Sequence, residues 1–239
     1  MCSPNTCAFD RPCLALYQQA KDATVALVGE LPVAELTRTC RACPARSIQD
    51  VVAHHVHVAG EYVGGTFAEE AYVAIIGEQS QRAAAAATRD IWTADGVLSR
   101  RNLDLAAVLA EWDAVVDRMD DRTAGIGLDS VMHQDDIAET LGAADPSTYA
   151  LSEDALGSWH HAFLVPRLAT TGACVNLVAT DTGRRWTKGG DNPTVAGPAY
   201  DLLRAVGGRR TRAQADASLD WGDAPEETRA LLAVYGWPG

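Results

Sequence analysis

Apolar residues recur at helical spacing along most of the chain up to about residue 140. The stretch 13–31 follows a period close to 3.6 residues and predicts a helix that ends at Leu31-Pro32. A second helix is predicted to begin at Ser47, because Asp50 stands where a capping-box partner is expected, and to run to about Gly64. The periodic positions of the first helix are Leu16, Tyr17, Ala20, Ala23, Leu27 and Val28.

Two further helices are predicted over 105–119, opened by Asn102 or Asp104, and over 128–141, where Gly142 ends the pattern. Residues 37–46 are predicted to form a loop. The stretch 66–100 is ambiguous, although its alanine run indicates a helix. Four helices with short connections favour an up-and-down bundle.

The pattern changes after a predicted linker near residues 146–149. Residues 151–165 predict a helix, and Cys174 to Thr180 predicts a strand that turns at Asp181-Thr182-Gly183 into a return strand. The pattern therefore predicts an α+β protein, with a helical bundle followed by a small α+β domain. Beyond the hairpin we expect a helix opening at Thr194 or Gly197-Pro198 and ending at Val206, a possible strand over 217–221, and a helix over 225–235.

Composition excludes two classes of partner. The net charge of -12 and the pI near 4.8 argue against nucleic acid. No stretch approaches the roughly 18–20 apolar residues of a membrane-spanning helix, and the N-terminus lacks the pattern of a secretory signal, so we expect a cytoplasmic protein. The 239 residues, 47% of them hydrophobic, suffice for a sizeable core.

The six cysteines are expected to be reduced thiols in such a compartment. Cys40 and Cys43 form a C-x-x-C motif, but no second pair stands at zinc-finger spacing and no strand is predicted before it. A redox site there is the less favoured interpretation. Cys2, Cys7 and Cys13 lie in a stretch expected to be a loose N-terminus, with a second metal site or redox switch as the alternative.

Histidines and carboxylates cluster in two of the predicted helices. His54 lies four residues after Asp50, and His133 lies four residues after Asp129, so each pair shares a helix face. Imidazole and carboxylate together suit a divalent first-row metal, with zinc the default, and three protein ligands would leave an open position. Spacing alone also permits solvated surface pairs, and His55 or His57 could be a buried, hydrogen-bonded histidine.

Two segments carry a family resemblance. Residues 43–54 (CPARSIQDVVAH) and 129–142 (DSVMHQDDIAETLG) resemble two motifs of the mycothiol-dependent maleylpyruvate isomerase family, within the DinB-like metalloenzyme superfamily. The stretches 179–186 and 197–210 look like the α+β domain of these enzymes. The resemblance implies a DinB-like four-helix bundle over 14–150 and a C-terminal α+β domain over 151–239.

Carried over by position, the family's metal ligands fall on His54, Asp129 and His133. This chain departs from the family where it has Asp129 in place of the usual Glu, Arg46 in place of Trp, and His55 where Leu is common. His55 or His57 could therefore take over as a ligand.

The implied activity is that of a metalloenzyme, with zinc expected and mycothiol as thiol cosubstrate. A metal-activated thiolate would act on an electrophilic small molecule by cis-trans isomerisation or S-transfer. Arg209 and Arg210 are the candidates for binding a substrate carboxylate, or alternatively are charges favoured near a helix C-terminus. A non-catalytic thiol- or metal-binding protein and a metal-dependent hydrolase are competing readings. The electrophile, the metal and the oligomeric state are left open.

Overall fold

The computed structural model describes residues 13–66, 79–121, 123–144, 150–187 and 191–238. These residues form two units, one within 1–71 and 84–145 and the other within 72–83 and 146–239. The predicted domains 14–150 and 151–239 stay a prediction. Cys2, Cys7, most of the ambiguous stretch before residue 79 and the predicted linker 146–149 lie outside the described residues.

The first unit is built from helices and one small hairpin. The helices predicted from periodicity are confirmed, with ends shifted by a few residues. The 20-residue helix that ends at Leu98 resolves the described part of the ambiguous stretch. The helices are α1 (Cys13–Val28), α2 (Val33–Leu36), α3 (Ile48–Gly64), α4 (Gln79–Leu98), α5 (Leu105–Val116) and α6 (Gly127–Leu141), with a 3₁₀ turn at Thr123–Ile126.

Helix α3 has a defined start and end. The Ser47 hydroxyl accepts a hydrogen bond from the Asp50 backbone N–H, and the Asp50 carboxylate accepts one from the Ser47 N–H, which is the predicted capping box. Gly65, at φ 70°, ends the helix in the left-handed region. Because its apolar face is buried against α5 and α6, α3 lies at the centre of the unit's core.

The predicted loop over 37–46 is wrong in part. Strands β1 (Thr39–Cys40) and β2 (Cys43–Ser47) pair in an antiparallel hairpin, with Cys40 opposite Cys43. The hairpin is fastened to α6, where the Arg41 backbone N–H donates to the Thr140 hydroxyl and the Arg38 guanidinium donates to the Thr140 carbonyl. These contacts join residues about a hundred positions apart, so local periodicity carries no signal for them.

The second unit combines helices with a three-stranded sheet. Strand β3 (Asn176–Ala179) pairs antiparallel with β4 (Arg185–Trp186), as predicted, and parallel with β5 (Thr194–Gly197). The helices are α7 (Ala150–Trp159), continued by a π-helical turn at His160–Leu164, α8 (Val165–Ala169), α9 (Ala199–Val206), α10 (Arg212–Ser218) and α11 (Glu226–Leu232).

Two expectations in this unit are corrected, and one helix was missed. Of the two predicted openings of the helix that ends at Val206, Thr194 is wrong, because residues 194–197 pair with β3, whereas Gly197-Pro198 is confirmed, since α9 begins directly after Pro198. The possible strand over 217–221 is reduced to a single bridge between Asp220 and Ala196. Helix α10, capped by Thr211 and Gln214, was not predicted, since its seven residues are too short to show a helical period.

Two further observations bear on the expected class of protein. Among the described residues, no helix is both long and apolar enough to cross a bilayer. Cys13 is disulfide-bonded, so the expectation of reduced thiols is wrong there, because composition does not register which sulfurs the fold brings together. Cys40, Cys43 and Cys174 are thiols as expected.

The packing of α4 against α3 generates a test of the bundle. A Cβ at Gly96 would overlap the His57 ring, which packs in a tilted arrangement against Trp92 with ring centroids 4.7 Å apart. Gly96→Ala should therefore lower the free energy of unfolding by about 1–3 kcal/mol. A Cβ at Gly60 on α3 would lie 3.9 Å from Val115, an ordinary contact, so Gly60→Ala should raise the free energy of unfolding by about 0.5–1 kcal/mol. Urea denaturation measures both, and stabilisation by both alanines would contradict this packing.

Candidate metal centre

The contact between α3 and α6 brings the three predicted ligands together. His54 comes from the second turn of α3, and Asp129 and His133 lie one turn apart on α6. Nε2 of His54 lies 3.4 Å from Asp129 Oδ2, and Nε2 of His133 lies 3.5 Å from Asp129 Oδ1. One donor atom from each residue lies within 4.8 Å of the other two.

These donor atoms suit a tetrahedral divalent cation. Zinc bonds of about 2.0–2.2 Å to nitrogen and oxygen place neighbouring ligand atoms of a tetrahedron about 3.4 Å apart. The separations of 3.4 and 3.5 Å, which join the two imidazoles to different oxygens of Asp129, are close to that edge length. Two imidazoles and one carboxylate are also a ligand set that zinc accepts in catalytic sites. The residues present therefore fit the metal that the sequence resemblance implies.

The two histidines are buried, at 5% and 4% exposure, and the Asp129 side chain is 23% exposed. The alternative of solvated surface pairs therefore does not apply. Burial lowers the pKa of His54 to about 4, with the positive charge of Arg46 acting in the same direction. Burial opposes ionisation of Asp129, but its histidine neighbours outweigh that effect and hold its pKa well below the ordinary range. Near neutral pH the site thus offers a neutral imidazole at His54 and a carboxylate at Asp129.

A second carboxylate orients His133. The fully buried Asp136 accepts a hydrogen bond from Nδ1 of His133 at 2.8 Å, which fixes the proton on Nδ1 and leaves the lone pair of Nε2 facing Asp129. The Cys43 thiol donates to the same Asp136 oxygen at 3.5 Å. Cys43, Asp136 and His133 also form a second group of possible ligands, which shares His133 with the first. Because Asp136 already engages Nδ1, the first group is the better metal candidate.

The hairpin cysteines were underweighted by sequence reasoning. Cys40 accepts a hydrogen bond from the Thr140 hydroxyl at 3.6 Å, and the interaction with the Cys43 side chain, together with that of Thr140, lowers the pKa of the Cys40 thiol to about 6. The C-x-x-C motif was the available signal in the sequence. Its position beside α6 depends on the tertiary fold and cannot be read from the motif.

His55 and His57 were left open as substitute ligands. His55 is 3% exposed and packs against Trp112 and His133, with ring centroids 5.1 and 5.4 Å away. Neither of its ring nitrogens has a hydrogen-bond partner among the described residues. His57 instead faces Trp92 on α4. In the part of the chain that the structure describes, neither histidine belongs to a group of possible metal ligands.

The predicted carboxylate-binding pair, Arg209 and Arg210, lies in the second unit just after α9. The Arg209 guanidinium sits over the Tyr235 ring at 5.8 Å and donates to the Gly207 carbonyl. The Arg210 guanidinium sits over the Tyr200 ring at 5.6 Å. Their role toward a substrate stays a prediction.

Metal content tests the ligand assignment. The purified chain is expected to bind about one zinc, and His54→Ala and His133→Ala should each abolish stoichiometric binding, because two protein ligands hold the cation too weakly. The exposed His161 supplies the control, and His161→Ala should keep the metal. Elemental analysis after dialysis measures the content, and unchanged metal in either ligand variant would remove that histidine from the site.

The buried histidines also predict how the metal-free protein responds to pH. Burial lowers the pKa of His54 from 6.5 to about 4, and that of His55 in the same direction. Between pH 4 and 6.5 the unfolded chain therefore binds more protons than the folded one, so stability falls as the pH falls. Each histidine should contribute up to about 1.4 kcal/mol per pH unit. Urea denaturation between pH 5 and 6.5 should show a shallower slope for the double variant His54→Gln, His55→Gln, and an unchanged slope would refute the assignment.

Comparison with known proteins locates the fold. No family model matches the chain, and no curated protein matches it. Two crystal structures do match, that of the mycothiol-dependent maleylpyruvate isomerase, at 15% identity, and that of a histidine-to-alanine mutant of such an isomerase, at 16%. Each match covers 90% of this chain and 94% of the other, with a TM-score of 0.53. The chain therefore has an α+β fold similar to that of the mycothiol-dependent maleylpyruvate isomerase, which confirms at the level of fold the resemblance drawn from its motifs.

Proposed function

We propose that this protein is a mycothiol-dependent metalloenzyme that uses a metal-activated thiolate on an electrophilic small molecule, by cis-trans isomerisation or by S-transfer. The observation that carries the proposal is the buried cluster of His54, Asp129 and His133, with Asp129 3.4 and 3.5 Å from the two imidazoles. The fold similarity to an isomerase that depends on mycothiol supports the choice of thiol.

His54, Asp129 and His133 would hold the divalent cation, which we expect to be zinc. When bound, the cation supplies the means to lower the pKa of a coordinated thiol, so that a thiolate exists at neutral pH. These three residues would leave a position open for an exogenous thiol. Because only one of them is an acid, they would favour binding of an anionic sulfur over a neutral one at the bound cation.

The neighbouring side chains prepare this site. Asp136 fixes the orientation of the His133 ring by a hydrogen bond, and the Cys43 thiol donates a hydrogen bond to Asp136. The buried His55 packs beside the His133 ring, and the buried Trp112 packs against His55 in turn, so the surroundings of His133 on this side are rings rather than water. The positive charge of Arg46 acts on His54, so we propose that it attracts an acidic group of the electrophile.

The enzyme is expected to act in the cytoplasm, where low-molecular-weight thiols are kept reduced. Arg209 and Arg210 remain our candidates for a further contact with a carboxylated substrate. Isomerisation would return the thiol unchanged, whereas S-transfer would consume it, so the fate of the thiol distinguishes the two reactions.

The zinc-loaded protein should convert at least one member of a panel of electrophiles, which includes a cis-enedioate, an epoxide and an alkyl halide, only when mycothiol is present. Unchanged total thiol would indicate isomerisation, and loss of thiol would indicate S-transfer. His133→Ala should lose the activity together with the metal, whereas His161→Ala should keep both.

Ligand-induced stabilisation provides a readout that needs no substrate. Mycothiol at 100 times its Kd should raise the free energy of unfolding of the zinc-loaded protein by about 2.7 kcal/mol, because it binds only the folded state. The analogue with a hydroxyl in place of the thiol should give much less, since sulfur is the group expected to reach the metal. Equal stabilisation by both, or turnover of an ester without any thiol, would favour the metal-dependent hydrolase instead.

A further inference from the structure

The β1–β2 hairpin presents two thiols to each other across a two-residue turn. Cys40 and Cys43 are partners in the antiparallel register, next to an irregularity between Thr39 and Cys40, and residues paired in this way have Cα atoms about 4.5–5.5 Å apart in a regular ladder. This separation lies inside the range of about 4.4–6.8 Å that disulfides require. Cys40 is fully buried, whereas Cys43 is partly exposed. Cys43 is therefore the cysteine of the pair that a reagent can approach, and Cys40 is placed to attack its sulfur.

The accessible thiol is also connected to the candidate metal centre. The Cys43 thiol donates to Asp136 Oδ2 at 3.5 Å, and the same oxygen accepts the hydrogen bond from His133 Nδ1 at 2.8 Å. Asp136 is fully buried, so each donor that reaches its carboxylate offsets part of the cost of burying the charge. Conversion of the Cys43 thiol to a disulfide would remove one of these donors.

We propose that Cys40 and Cys43 form a reversible dithiol–disulfide site, oxidised by low-molecular-weight disulfides, and that closure of the disulfide weakens metal binding by withdrawing the Cys43 hydrogen bond from Asp136. The coupling to the metal rests on the proposed metal centre. The dithiol chemistry rests on the hairpin alone.

The chemistry is two successive exchanges. The Cys43 thiolate attacks one sulfur of a disulfide RSSR, forms a mixed disulfide and releases one RSH, which takes up the proton that Cys43 gave up. The Cys40 thiolate then attacks the Cys43 sulfur and releases the second RSH. In total the two cysteines lose two electrons and two protons, and RSSR gains both. Excess RSH reverses the sequence.

The expected loss of metal affinity on oxidation follows from the role of Asp136, which orients the ligand His133. Loss of a partner that orients a ligand histidine typically weakens metal binding by about 10–100-fold. Oxidation leaves Asp136 in place and removes only one of its donors, so we expect the low end, about tenfold.

Peptide mapping tests the dithiol. The full-length protein is treated with glutathione disulfide, quenched by alkylation and digested. The expected product is a Cys40–Cys43 cross-link lighter by two hydrogens than the dithiol, which dithiothreitol reverses. Cys174 is exposed and serves as the internal control for reagent activity. Modification of Cys174 while Cys40 and Cys43 remain alkylatable would overturn the proposal.

Zinc competition against a chromophoric chelator tests the coupling. Oxidised wild type and reduced Cys43→Ala should both bind zinc about tenfold more weakly than reduced wild type, because both lack the donor to Asp136. Reduced Cys43→Ser should bind like wild type, since it keeps a donor at residue 43.

Equal zinc affinity of the oxidised and reduced wild type would overturn the coupling, and so would full affinity of Cys43→Ala. If the reduced wild type itself binds no zinc, the proposed metal centre fails, and the peptide map still decides the dithiol proposal. Circular dichroism of each variant checks that the bundle remains folded, and rescue by Cys43→Ser separates loss of the hydrogen bond from general damage to the hairpin.

Discussion

The candidate site depends on the packing of α3 against α6, which brings two buried imidazoles close to one carboxylate. A carboxylate that loses much of its hydration, as Asp129 does at 23% side-chain exposure, costs stability unless charges or donors surround it. Here His54 and His133 approach its two oxygens from different helices, and a shared cation would satisfy all three groups at once. The apolar face of α3 supplies the opposing gain, because Val51, Val52 and Val56 are fully buried on the same helix that carries His54. The core therefore sets the geometry of the site.

A hydrogen-bonded layer behind the ligands refines that geometry. Asp136 determines which nitrogen of His133 faces the site, and the hairpin reaches Asp136 through Cys43 and the Asp136 backbone carbonyl through Cys40. His55 is the exception, since it lies in the same region with no hydrogen-bond partner for its ring among the residues described. A buried polar ring without a hydrogen bond lowers the stability of the fold. Such a residue is typical of positions that serve function rather than folding.

Sequence patterns predicted the parts of this arrangement that have local causes. The capping box of Ser47 and Asp50 located the start of α3, and the i, i+4 pair of Asp129 and His133 placed two donors on one face of α6. The hairpin was missed because the contacts that hold it, to Thr140, lie about a hundred positions away, and strand β5 was missed because it pairs with β3 across an intervening strand of the chain. The meeting of His54 with Asp129 was expected only through the family resemblance, since no periodicity encodes which helix faces which.

Ser47 is at once the last residue of β2 and the N-cap of α3, so the hairpin continues into the helix without a flexible joint. His54 follows seven residues later, about two helical turns and 10 Å along the axis. One residue inserted or deleted between Cys43 and His54 would rotate the imidazole by about 100° around α3 and turn it away from Asp129. The number of residues in this segment is thus constrained as strictly as the ligands themselves. Related sequences should show substitutions here, but no insertions or deletions.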